Sequence, residues 1–129
     1  AGNLLWAAAR ALGPAEEAVV RDAGRAAGLA AYLRAVPELE ARGRAPLPDG
    51  RPEAVARLAA EGRRRLAAAR ARRREVSKSA AAALLGVGQA GAELARAEAD
   101  PSRVADGSLR ASPARERAAL IWRAATGRW

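Results

Sequence analysis

The sequence predicts an all-α protein, a helical bundle in a single domain. Three observations lead there. Alanine occurs 39 times and arginine 22 times in 129 residues, and both are strong helix formers. Stretches of Val, Ile, Thr and aromatic residues, the material of strands, are missing. Apolar residues recur instead at spacings of three and four, the period of a helix face. Half of the chain is hydrophobic, too much for a disordered composition. The core must be mostly Ala, Leu and Val, so each helix contact buries little apolar area.

The first helix is expected from Asn3 to Leu12, with Leu4, Leu5, Ala8 and Leu12 on one side and Gly13 as its stop. Pro14 restarts the chain, and Glu16 and Glu17 sit in the first turn of a second helix, where acids suit the helix dipole. That helix is expected to run to about Val36 and to end at Pro37. Residues 37–51, with four further helix breakers in Gly43, Pro46, Pro48 and Gly50, predict an ordered connection. Pro52 opens a third helix whose Val55, Leu58, Gly62, Leu66 and Ala69 form one apolar stripe, continuing to about Arg74. Ser77 or Ser79 caps a fourth helix carrying Leu84, Leu85, Val87 and Leu94. Asp100-Pro101 and Asp106-Gly107 mark a loop. Ser112-Pro113, an N-cap followed by proline at the first helical position, starts a last helix reaching about Trp129. Leu120, Ile121 and Trp122 form its densest apolar cluster; Trp122 reads as core, as does Trp6, whereas Trp129 reads equally as a docking anchor or as an aromatic folded back on its own domain.

Absent residue types narrow the chemistry. Without cysteine there is no disulfide framework, thiolate metal site or thiol nucleophile, and without histidine there is no imidazole base or His-ligated metal. The acidic residues form no Asp-x-x-Asp pair, leaving Glu38 and Glu40 as the nearest thing to an acid/base site. No apolar run is long enough to cross a membrane. The opening Ala1-Gly2-Asn3-Leu4-Leu5-Trp6 lacks the basic start of a signal peptide and reads as helix interior, as expected of a piece of a longer protein.

The net charge is +9 and unevenly spread. Residues 1–50 are neutral, whereas residues 51–76 hold nine Arg against three Glu. Arg63, Arg64 and Arg65, then Arg72, Arg73 and Arg74, make a candidate surface for anionic lipid or an acidic protein. A solvated face of a chain rich in arginine codons gives the same pattern. Nucleic acid is the weaker alternative, because no aromatic side chain stands among these arginines to stack on bases.

The second helix has an unusual face. Gly24, Gly28, Ala31 and Ala35 follow at spacings of four, three and four and so stack on one side. Glycine inside a helix costs about 1 kcal/mol relative to alanine. Two on one face therefore point to close approach, either of another helix or of a ligand in a cavity that they line. Just beyond stand Tyr32-Leu33-Arg34-Ala35-Val36-Pro37-Glu38-Leu39 and Gly43-Arg44-Ala45-Pro46-Leu47-Pro48.

This stretch resembles the second aspartate motif of squalene and phytoene synthases, Asn-x-x-Arg-Asp-x-x-x-Asp followed by Gly-Arg-x-Tyr-Leu-Pro. Arg34, Gly43, Arg44, Leu47 and Pro48 match without gaps, and Gly24-x-Ala26 matches the family's preceding Gly-x-Ala. The resemblance implies that Arg34 and Arg44 are remnants of a diphosphate-binding site. The family's two aspartates, which hold Mg²⁺ and through it the substrate diphosphate, stand here as Ala35 and Leu39. Its polar pair stands as Gly28 and Ala31. Neither Ala35 nor Leu39 offers the oxygen that Mg²⁺ needs, and Glu38, one position off, is swung about 100° around the helix.

Leu33-Arg34-Ala35-Val36-Pro37 is similar to the motif of one non-catalytic branch, the complex I assembly factors with a squalene/phytoene synthase domain. The tail from Leu120-Ile121-Trp122-Arg123 to Trp129 resembles that branch too. The resemblance covers residues 1–129 as the C-terminal half of an isoprenoid-synthase-like fold. It implies no catalytic residues, no metal or cofactor, and a role as assembly factor or scaffold for respiratory complex I. That role implies a partner chain, or the family's N-terminal half, and a place in the bacterial cytoplasm, peripheral at the inner membrane, or on the mitochondrial matrix side. The alternatives are an active head-to-head prenyl transferase using Mg²⁺, and a basic helical nucleic-acid-binding module.

Overall fold

The computed structural model describes residues 2–129. Among them are seven α-helices and no strand: α1 (Gly2–Leu12), α2 (Glu17–Ala41), α3 (Pro52–Ala71), α4 (Lys78–Ala81), α5 (Val87–Ala99), α6 (Ser102–Ala105) and α7 (Pro113–Thr126). The long α2 is the axis of the bundle. It packs against α1, α3 and α5, and α3 also packs against α5. Along its length it buries Val19, Val20, Ala23, Ala26, Ala30, Leu33 and Val36. Facing them are Val55, Ala59, Leu66 and Ala69 of α3 and Val87, Ala90, Leu94 and Ala97 of α5. With so many alanines at the contacts the helices close tightly, and large side chains such as Leu33, Leu84, Leu94 and Leu109 fill the remaining space.

Two connections are tied to each other. The Glu16 N–H donates to the Glu75 carbonyl at 2.9 Å, and the Ser77 N–H donates to the Pro14 carbonyl at 2.9 Å. The pair forms an isolated antiparallel bridge between Ala15 and Val76. It pins the start of α2 to the segment that follows α3, so backbone polar groups in both turns are satisfied.

Helix ends differ from the sequence expectation in several places: α3 stops at Ala71, α6 lies within the expected 100–107 loop, and α7 stops at Thr126. Pro37 does not end α2, which continues to Ala41. Proline removes one ladder donor, but the turn after it is held by other bonds. The Arg44 N–H reaches the Leu39 carbonyl at 3.0 Å and the Gly43 N–H reaches the Glu40 carbonyl at 2.9 Å. With Gly43 left-handed at φ 74°, these two bonds make a Schellman cap. The fourth helix is broken: Ser77 Oγ caps α4 through the Ala80 N–H at 3.2 Å, a 3₁₀ turn covers Ala82–Leu84, and α5 begins at Val87. Gly86 and Gly88 weaken helix propensity at this break. The last helix starts as expected, with the Ser112 Oγ accepting the Arg115 N–H and Pro113 at its first position.

The tryptophans divide. Trp6 packs partly buried against the core, and Trp129 is 6% exposed, its main-chain oxygen accepting from Arg70 Nε at 2.9 Å. Trp122 is not core: Leu120, Ile121 and Trp122 are 46%, 70% and 55% exposed. Among the described residues no helix is long and apolar enough to cross a membrane.

Candidate functional site

The glycine face of α2 meets another helix at one end and solvent at the other. Gly24 is buried under α1, and a Cβ there would lie 2.7 Å from Gly2 Cα, so only glycine permits this crossing. Farther along, Gly28 and Ala31 join Ala27, Leu4, Leu5 and Ala8 in lining an open apolar groove of about 370 Å³ between α1 and α2. Ala35 lies outside that lining and is half-buried.

Arg34 is committed elsewhere. It leaves α2 toward α5, where its Nη1 donates to both carboxylate oxygens of Glu93, at 3.0 and 2.8 Å. Glu93 is 1% exposed, a charged group on the same side of α5 as Ala90, Leu94 and Ala97. One turn earlier on α5, Gln89 Nε2 donates to Glu93 at 3.2 Å and to Glu116 of α7 at 3.0 Å. Arg110 approaches Glu116 at 3.4 Å. A continuous polar chain, Arg34–Glu93–Gln89–Glu116–Arg110, thus joins α2, α5 and α7. Among the described residues no buried side-chain polar atom lacks a partner. A buried carboxylate needs this many donors, since leaving one unpaired costs several kcal/mol. Arg44, by contrast, is exposed, and its backbone N–H serves the α2 cap.

The six α3-region arginines are all exposed, but several already have acidic neighbours. Arg63 pairs with Glu98 at 2.5 Å, Arg64 and Arg65 with Glu61 at 2.6 and 2.9 Å, and Arg72 with Glu75 at 2.7 Å. Arg73 and Arg74 form no such pair among the described residues. The hydrogen bond from Arg64 holds the Glu61 carboxyl below its ordinary value, and that from Arg72 does the same to Glu75. Solvated pairs of this kind contribute little stability, and the face keeps a positive surplus.

Helix α7 is turned inside out. Glu116 and Arg123 lie against α5, while Ile121 and Trp122 look outward and no α7 residue is buried. The Arg128 guanidinium sits 5.7 Å from the Trp122 ring centroid, a cation–π contact on the protein's exterior.

Sequence reasoning passed over Glu93 and Gln89. The available signal was an acidic residue beside the Val87/Ala90/Leu94/Ala97 stripe of α5, a position where a solvated face would not put one. Among the described residues no three acidic side chains converge on a point that could hold a metal ion. No protein-family model, curated protein or solved structure matches this chain.

Proposed function

We propose that the chain is a non-catalytic helical scaffold that binds another protein through its outward apolar surface. The observation that carries this reading is the inverted α7, which offers Ile121 and Trp122 to the exterior while Glu116 and Arg123 lie against α5. A contiguous apolar patch of this kind marks an interaction site, and tryptophan is a common anchor in such sites. The commitment of Arg34 to Glu93 supports the non-catalytic half of the proposal, because a guanidinium tied to a buried carboxylate is poorly placed to receive a diphosphate.

In its finer form the proposal follows the squalene/phytoene synthase resemblance. The fold is then the C-terminal part of an isoprenoid-synthase-like bundle that has lost its metal aspartates at Ala35 and Leu39. The partner is respiratory complex I during assembly, and the arginines of the α3 region hold the protein at an anionic membrane surface. Titration calorimetry with Mg²⁺ and a prenyl diphosphate tests the catalytic half. No Mg²⁺-dependent heat is expected, and tight Mg²⁺-dependent binding that Arg34→Ala abolishes would return the chain to the enzymes.

A further inference from the structure

A second cavity lies between the start of α5 and α7, with Gln89 and Glu116 in its lining. It measures about 550 Å³, within the size range of small-molecule sites. Its apolar wall is Leu85, Ala111, Pro113 and Leu120, and three arginines line it, Arg110, Arg117 and Arg123, against the single carboxylate of Glu116. Helical spacing accounts for the α7 side: Pro113, Glu116, Leu120 and Arg123 recur at three, four and three and share one face.

Arg123 is the unusual member. It is half-buried and has no acidic partner among the described residues. Its guanidinium lies across α5 at Gly88, where a Cβ would stand 2.7 Å from its Cζ. The glycine therefore clears the space that the arginine occupies. Close by, Arg70 is lowered from the ordinary arginine value, first by burial and then by the charge of Arg123. Among the described residues no acidic side chain pairs with either of these partly buried guanidinium groups, although the Trp129 main-chain oxygen accepts from Arg70. A protein that keeps such a pair gains from an anion that neutralises it, and arginine is the side chain suited to phosphate-type oxygens.

We propose that the α5–α7 cavity binds a small organic anion, with a phosphate-type head on Arg117 and Arg123 and an apolar portion against Leu85, Pro113 and Leu120. The scaffold reading does not depend on this site, whose lining includes neither Ile121 nor Trp122.

Octyl phosphate is the probe, titrated into the full chain by calorimetry beside inorganic pyrophosphate and the neutral octyl glucoside. Saturable binding of octyl phosphate is expected, with pyrophosphate weaker and octyl glucoside silent. Arg123→Gln removes one charge-assisted contact and should weaken binding roughly ten-fold or more. Gly88→Ala keeps every charge but displaces the flexible Arg123 side chain from its place across α5. It should weaken binding similarly while leaving the circular dichroism and melting curve intact. Arg64→Gln, on the distant α3 surface, should change nothing. Vesicles carrying anionic lipid separate the sources of the head group: competition by vesicles for the same Arg123-dependent site assigns it to lipid, and no competition assigns it to a soluble anion. Absence of saturable octyl phosphate binding would overturn the proposal. So would binding that Arg123→Gln and Gly88→Ala leave unchanged, or that Arg64→Gln weakens equally.

Discussion

Arg34 shows how much a single partner decides. In sequence it stands just before Ala35 and Leu39, the two positions where carboxylates are missing, and it reads as a leftover of phosphate chemistry. In the fold its two hydrogen bonds go to Glu93, the buried charge of α5. Removing one partner of a buried pair costs more than removing both. Arg34→Met, which leaves the Glu93 carboxylate with Gln89 alone, is therefore expected to destabilise by about 3 kcal/mol. The double variant Arg34→Met/Glu93→Leu should be more stable than Arg34→Met. Urea unfolding of the four species checks this, and strictly additive losses would contradict the coupling. Glu93 itself was not legible in the sequence. One glutamate next to an apolar stripe looks like an edge residue until the arginine 59 positions away is brought to it.

At the scale of the helix, local signals were readable and signals about facing were not. Ser77, Ser112-Pro113 and Pro52 mark helix starts because their chemistry acts on the next three residues alone. Pro37 misled because a proline removes a ladder bond without obliging the helix to end, and the stop is set one turn later by the Gly43 cap. Gly43→Ala puts a Cβ into the left-handed region and should cost about 1 kcal/mol, read as a lower melting temperature with unchanged helix content; an unchanged melting temperature would mean that the cap does not hold the last turn of α2. The Leu120-Ile121-Trp122 cluster was legible as apolar, yet periodicity gives an apolar side without saying what lies opposite it. Since α7 buries no residue and is held by polar contacts, its amides should exchange with deuterium faster than those of α2 and α5. Equal protection along all three helices would show α7 to be integral to the core.

For the whole molecule, charge sets the response to acid. Asp49, Glu61, Glu75 and Asp106 are all held below their ordinary values, chiefly by side-chain hydrogen bonds from Arg51, Arg64, Arg72 and Ser108 respectively. A carboxyl depressed in the folded state adds stability above its unfolded value, and that stability is lost as pH falls through the folded one. The unfolded values are 3.8 for Asp and 4.5 for Glu, so the melting temperature should hold steady above about pH 5 and fall below it. Protonating the 14 acidic residues also uncovers 23 positive charges, whose mutual repulsion acts in the same direction. A melting temperature that stays flat to pH 3 would show these pairs to be without effect. The all-α class was legible from alanine and arginine usage alone. How the helices close on α2 was not, because alanine faces fit one another in many pairings.

The scaffold proposal is tested most directly inside cells. A photo-crosslinking residue in place of Trp122 probes the outward face of α7, and mass spectrometry identifies what it captures. Adducts with subunits of respiratory complex I, lost when Ile121 is changed to Ser, are the predicted result. An α7 face that captures no complex I subunit, in cells that assemble complex I normally without this protein, would contradict it.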